Sequence, residues 1–435
     1  MANETDPVVT ARKAVDALLA AGADKARASV SRKRLSELNV DSGKMSLYRS
    51  TADVSLALLA LDGSRKGAVA VNRLDDASIE AAAAKAVAMA RSAAPDPAND
   101  IAPARPLERF ASGAREPDSG RMYERLREFV DWARRERPLA NLEQCILDFT
   151  FAESAFANSN GAEFAEDSGV YSFQAMFSSR KDGKVSSFNG GGASHRGLEL
   201  PLADWGGTGE LMRQSAEQLE TSSVEGSFEG DLVVTPDCLG DFLGMLDGIF
   251  LGDYCQITGA SPWKDALGKR VASELLTVRS APLGPDIEVG ANYTADGFRA
   301  ENCALIERGV LRNFTLSHYG SLKTGKARCP SGGGSFAVDP GAAPLEDLIK
   351  DVKRGILLAR FSGGMPSENG DFSGVAKNSY LIENGRVVRP VSETMIAGNA
   401  ARVFESIRAV SRERKDFGAM VGPWILAGGV SISGK

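Results

Sequence analysis

The chain has 435 residues, of which 43% are apolar and 25% charged, and it carries a formal net charge of −6. That length is too great for one ordinary core, so two or three domains of a globular protein are expected. The acidic balance speaks against nucleic acid as a partner, because phosphate neutralisation needs a basic surface. A membrane partner is not expected either, since the apolar runs are broken by Gly, Asp or Lys well short of a bilayer span.

The opening Met-Ala-Asn-Glu-Thr-Asp has neither the basic nor the apolar region of a signal peptide. Five widely spaced cysteines, odd in number and without a C-x-x-C pair, read as reduced thiols, and a cytoplasmic location is expected. The only two histidines are His195 and His318.

Residues 6–21 read as an amphipathic helix with Val8, Ala11, Val15, Leu18 and Leu19 on one face. Strands are expected at 26–30, 46–49, 54–61 and 68–71, and Asp76 is placed to cap an Ala-rich helix over 79–91. Strands followed by a helix indicate an α+β unit rather than a βαβ series. Four prolines within 93–106 mark a linker. A helix over 121–137 precedes an antiparallel meander over 142–190, turning at Asn160-Gly161 and Asp182-Gly183. A Gly/Ser-rich crossing at 190–194, a helix near 210–220 and a second linker at 221–228 close this part.

The C-terminal part opens with a strand at 231–234. Thr235-Pro236 starts a helix whose apolar face is Leu239, Phe242, Leu243, Leu246, Ile249 and Phe250. A strand at 275–279, a hairpin at 304–307 and 310–314, a long Gly-rich loop and a helix over 345–358 follow. A second hairpin pairs 380–382 with 386–388 around Asn384-Gly385, which suits the positive φ of a type I′ turn. Before it, 370–374 reads as a polar loop. After it, 397–399 reads as a turn with Asn399 capping a helix. A last strand is expected at 430–433. The breaks divide the chain into 1–106 (α+β), 107–228 (helix plus antiparallel meander) and 229–435 (β-rich α+β).

Some stretches invite chemistry. Residues 320–327 nearly match a phosphate-binding loop, but Ala327 lacks the hydroxyl that would hold Mg²⁺, and a plain loop is the better reading. A Cys303–His318 pair would need contact in space, and a structural thiol is the usual case. His195 reads as a surface residue. Asp75-Asp76 reads as capping, and Glu383 as the cross-strand partner of Arg386.

The order G-D-F-S-G, strand, E-N-G, strand, P-V, then A-G-N and a helix, over 370–407, resembles the C-terminal region of the TldD/PmbA family. Residues 158–161, 334–341, 422–424 and 432–434 fit the same order, and the resemblance covers nearly the whole chain. It implies a TldD/PmbA-like α+β fold. In that family a zinc metallopeptidase subunit, TldD, pairs with a similar subunit, PmbA or TldE. The peptidase motif H-E-x-x-x-H lies on the helix after the strand that 231–234 resembles. Here that helix reads Leu243-Gly244-Met245-Leu246-Asp247-Gly248-Ile249-Phe250, without His or Glu. A zinc site takes about three protein ligands. No metal ligand or catalytic residue is therefore assigned to this chain, and zinc is expected only in a TldD-like partner. The resemblance implies a non-catalytic PmbA/TldE-like subunit, dimeric with a TldD-like chain or with itself, that helps to hold an extended peptide. Such a peptide can add as a strand to a sheet edge. Its cleft would involve His318, Arg328, Gly332, Gly333, Asp371 and Ser373. The alternatives are a metallopeptidase acting alone and a regulator of the kind behind the family's older label, modulator of DNA gyrase.

Overall fold

The computed structural model describes residues 6–364 and 366–434. Two sheets organise them. Helix α1 (Pro7–Ala20) leads into a meander of β1 (Lys25–Asp41), β2 (Lys44–Asp62) and β3 (Arg65–Val71). Then come α2 (Asp76–Ser92), β4 (Arg105–Ser112), α3 (Ser119–Glu136), the hairpin of β5 (Ala140–Asn158) and β6 (Ala162–Lys181), β7 (Lys184–Val185), β8 (Asn189–His195) and α4 (Thr208–Glu217). The first sheet has the order β3-β2-β1-β5-β6-β4, with β7 and β8 also paired to β6.

Helices cover one face of this sheet in two patches. At one end α1 and α2 pack small residues (Ala11, Ala14, Ala83, Ala86) against Ala28, Val30, Leu58 and Ala155. Helix α2 comes so close to β3 that a β-carbon on Gly67 would stand 2.0 Å from the Ala86 carbonyl oxygen, which only glycine permits. At the other end α3 and α4 build an aromatic core from Phe129, Phe149, Phe173, Phe177 and Trp205.

The second sheet starts with β9 (Ser227–Val234). It continues through α5 (Pro236–Met245), a π-helical turn (Leu246–Leu251), α6 (Asp253–Ile257), β10 (Val278–Ser280), β11 (Cys303–Glu307), β12 (Val310–Leu311) and α7 (His318–Thr324). Next are β13 (Phe336–Val338), α8 (Leu345–Lys350), β14 (Arg354–Leu358), β15 (Arg360–Gly363), β16 (Asp371–Lys377), β17 (Tyr380–Glu383) and β18 (Arg386–Pro390). Last come β19 (Met395–Asn399), α9 (Ala400–Glu405), β20 (Ala409–Asp416) and β21 (Val421–Ser433). The main order is β12-β11-β10-β13-β21-β9-β14-β17-β18. Strand β9 is central and buried on both faces: Leu232 and Val234 join the core under α5 and α9, and Val233 joins Leu348, Val352, Ile382 and Leu426 on the other side. A strand buried on both faces reads as an unbroken apolar run.

The fold class is the α+β one expected. The Asn384-Gly385 turn has φ of 48° and 75°, and Asn399 caps α9 by accepting from the N–H groups of Ala401 and Arg402. Several local expectations are corrected. Residues 371–374 and 397–399 are not loop and turn but parts of strands paired in register, Asp371 with Asn399 and Ser373 with Ala397; their glycines and polar side chains hide the ladder. Residues 190–194 belong to β8. The expected helix over 345–358 ends at Lys350, because 354–358 pairs with β9 and β17. The cap of α2 is Asp75, not Asp76. Leu19 is exposed. Glu383 stands opposite Arg386 in the hairpin as expected, but its ion pair, at 3.5 Å, is with Arg354. His195 is buried, not at the surface, with Nδ1 2.6 Å from Glu288 and its ring edge-on to Trp205. Among the described residues no helix is long and apolar enough to cross a membrane.

The two sheets meet along 292–298. Tyr293 stacks on Phe164 at 5.0 Å and donates to Ser154 at 3.1 Å, and Asn292 donates to Glu166 at 2.7 Å.

Candidate functional site

Proline at the first helical position starts α5, where a missing N–H costs nothing. The apolar side of the helix, Leu239, Phe242, Leu243 and Leu246, is buried. The opposite side carries Gly240, Asp241, Gly244 and Gly248, all exposed. Three glycines four residues apart strip this face bare: a β-carbon at Gly244 or Gly248 would meet nothing within 4 Å. Facing them are β15 and the segment after it, and between lies a groove of about 730 Å³ whose walls include Met245, Tyr254, Arg360, Phe361, Ser362 and Glu368.

Strand β15 pairs with β16 from Arg360–Lys377 to Gly363–Gly374. Among the described residues it has no second strand neighbour. The groove is thus bordered by a sheet edge, with Ser362 and Gly363 exposed on it. Its far rim is held by Asp371, whose carboxylate accepts from Asn369 at 2.9 Å and Asn399 at 2.8 Å while its N–H donates to Ser367. These bonds hold the Asp371 carboxyl below its ordinary pKa.

The groove lacks the equipment of a nucleophilic or metal centre. Burial pushes the Cys238 thiol well above its ordinary pKa and the Cys255 thiol up to about 11, so neither is a ready thiolate. Burial also raises the Asp241 carboxyl. Metal-ligand side chains converge elsewhere: among the described residues the one such group is His195, Glu288 and Asp416, with ligand atoms within 4.8 Å of one another. There Glu288 is bonded to His195 and to the Arg196 N–H, and Asp416 accepts from Gly418, which reads as bracing between the sheets. The residues on the groove face of α5 do not fit a zinc ion.

The sequence-predicted site residues fall into two groups. His318, Arg328 and Gly332 gather on the inter-sheet seam. Asp296 accepts from the His318 N–H at 2.8 Å and from the Arg328 guanidinium at 2.9 Å. Arg328 also donates to Thr294 and lies 3.9 Å over the Phe298 ring. A β-carbon on Gly332 would stand 2.6 Å from Thr294. Despite its burial, which works the other way, the Asp296 carboxyl is held below its ordinary pKa, by Arg328 first. Burial lowers His318 towards the neutral form. Gly333 follows in the same positive-φ run. Asp371 and Ser373 lie instead on β16, one strand behind the groove edge. Cys303 does not turn to His318: its sulfur lies 3.8 Å from Cys329, while His318 packs on Phe298. The near phosphate-loop motif is helix α7 with Gly325 as its left-handed cap, not a strand-to-helix turn that cradles an anion. Sequence reasoning missed Gly240, Gly244, Gly248 and Arg360. The signal was there: glycine every fourth residue opposite an intact apolar face.

Comparisons with known proteins agree with this architecture. Residues 227–434 match the PmbA/TldA metallopeptidase C-terminal domain, and residues 26–90 match PmbA/TldA metallopeptidase domain 1. A metalloprotease of Methanothermobacter thermautotrophicus is 28% identical over 62% of the chain and 62% of its own length. Metalloprotease PmbA of Escherichia coli O157:H7 is 23% identical over 91% of the chain and 89% of its own length. In fold the chain is similar to TldE from Thermococcus kodakarensis, with a TM-score of 0.82 at 19% identity over 97% of this chain and 99% of that one. A Bacteroides thetaiotaomicron protein described as a candidate modulator of DNA gyrase gives 0.84 at 22% identity over 98% of each. On this fold and these matches, the chain belongs to the TldD/PmbA family.

Proposed function

We propose that this chain is a non-catalytic, PmbA/TldE-like subunit of a zinc metallopeptidase complex, contributing a peptide-binding groove while a TldD-like chain supplies the metal and the base. The observation that carries the reading is the bare face of α5. Where the family's peptidase members present H-E-x-x-x-H, this helix and the π-helical turn after it present Gly244 and Gly248 to open space, with Gly240 in line one turn earlier. An extended peptide fits beside it: β15 offers unpaired backbone groups, and side-chain-free helix surface leaves room for varied residues. Main-chain pairing gives affinity without demanding a sequence. The unpaired cysteines support a cytoplasmic location as part of this reading.

The test mixes the purified chain with a TldD-like subunit from the same source and zinc, and follows hydrolysis of unfolded peptides. Cleavage by the mixture alone, lost when the partner's motif is mutated, supports the reading. Chelator-sensitive cleavage by this chain alone would overturn it and favour a self-sufficient peptidase.

A further inference from the structure

Strand β11 begins at Cys303, and the neighbour of its sulfur is that of Cys329, 26 residues on and 3.8 Å away. The backbone holds the two stretches together: the Glu301 N–H donates to the Pro330 carbonyl at 3.2 Å, and the Cys329 N–H to the Leu316 carbonyl at 2.8 Å. Ser331 joins the pair, its hydroxyl 3.1 Å from the Cys329 sulfur and 3.6 Å from that of Cys303. Cys329 is buried and Cys303 half-buried, so a reagent arriving from solvent meets Cys303 first.

The other cysteines are different. Cys145, Cys238 and Cys255 have no cysteine sulfur in contact among the described residues, and burial pushes their thiols up. At the pair, donation from the Cys303 thiol first, and then from Ser331 and the backbone N–H groups of Ser331 and Gly333, brings the Cys329 thiol down to about 6 despite its burial. The same contact, and burial with it, raise the Cys303 thiol. The thiolate is the form that attacks a disulfide. The pair thus unites a reachable sulfur, a hidden sulfur that can hold negative charge, and contact between them.

We infer that Cys303 and Cys329 form a redox modification site, a dithiol that low-molecular-weight disulfides oxidise to a reversible cross-link. A proton shift along the S···S contact passes the charge to Cys303. Its sulfur attacks one sulfur of the incoming RS–SR, forming Cys303–S–S–R and releasing RS⁻. The Cys329 thiolate then attacks the Cys303 sulfur, forming the Cys303–Cys329 bond and expelling a second RS⁻. The two thiol protons go to the two RS⁻, so the protein sulfurs lose two electrons and RS–SR is reduced to two RSH. Side-chain rotation brings sulfurs already in contact to the S–S bond length of about 2 Å. The bond closes a loop through α7 and fastens the Gly-rich segment to β11, next to Arg328 and its tie to Asp296. Disulfides of this kind in reducing compartments are transient and redox-sensing. The cross-link makes no use of the groove beside α5.

The experiment incubates the folded full chain in glutathione buffers of rising oxidised share, traps the thiols and maps the cysteines by peptide mass. Two of the five free thiols should be lost, with Cys303 and Cys329 recovered as one linked peptide pair lighter by two hydrogens. Excess reduced glutathione should restore both. Cys329→Ala should stop at a glutathione adduct on Cys303, and Cys303→Ser should give neither adduct nor cross-link. Proteolysis within 312–335 should be slower in the cross-linked chain than in the reduced one. If the folded wild type keeps all five thiols, or accumulates only the Cys303 adduct, the two are structural thiols and the site falls. A cross-link to Cys145, Cys238 or Cys255 overturns the pairing, and unchanged proteolysis of 312–335 overturns the fastening. The peptide map of the wild type decides the matter even where a variant fails to fold.

Discussion

At the scale of single residues, Asp148 has the largest consequence. Burial first, and then the Glu37 charge, push its carboxyl up to about 6. The unfolded chain releases this proton near 4, so between about pH 4 and 6 the folded state binds more protons than the unfolded one. Stability from this group is therefore present in acid and lost as the pH rises through 6. Asp148→Asn removes the penalty, and at pH 7 the variant should be more stable by about 1 kcal/mol, since the carboxyl is only part-buried and solvent screens part of the repulsion. Urea unfolding at pH 4.5 and 7 checks this: a gain that does not grow with pH would mean an ordinary carboxyl. Asn399 is the opposite kind of residue, legible from sequence because its cap is local. Asn399→Ala should cost about 1 kcal/mol, read by the same method. Asp148 was not legible, because its strain comes from a strand more than a hundred residues away.

At the scale of elements, the hairpin around Asn384-Gly385 and the helix behind Thr235-Pro236 follow from short-range chemistry. The lengths of β1, β5 and β6 do not. Stretches such as 31–37 look like loop because one strand face is polar, and that face makes sense only with the second sheet opposite it. Likewise β16 and β19 hide behind glycine and serine, whose ladder bonds come from distant partners. Helix α5 shows what the glycines of the proposed groove cost. An exposed glycine inside a helix is worth about 0.8–1 kcal/mol less than alanine, and at Gly244 a methyl group meets no obstacle. Gly244→Ala should raise the melting temperature, and Gly244→Trp should fold yet abolish peptide hydrolysis by the mixed complex. A folded Gly244→Trp subunit that supports full hydrolysis would remove the groove from the mechanism.

At the scale of the whole molecule, the seam between the sheets decides whether the two halves of the chain keep their relation. Segment 292–298 seats against Phe156 so closely that a β-carbon on Gly297 would stand 2.2 Å from that ring. From the same segment Asp296 reaches back to Arg328 and His318, and Asp96 of the N-terminal half binds Tyr319 and Lys323 on α7 at 2.8 Å each. The Gly-rich stretch after α7, expected from sequence as a loop at a cleft, is thereby tied to the N-terminal half at its start. The Arg328–Asp296 pair is the buried part of this tie, with side chains 13% and 17% exposed. Removing one partner of such a pair leaves a buried charge uncompensated, which costs about 3–5 kcal/mol. Asp296→Ala should therefore destabilise the chain by about that amount and loosen the seam, so that the protease sensitivity of 312–335 rises before global unfolding. Replacing Asp296 and Arg328 together with apolar residues of similar size should restore much of the loss, because no charge is then stranded. If the single variant melts like the wild type, the pair is ornamental and the seam rests on the Phe164–Tyr293 stack and its neighbours alone.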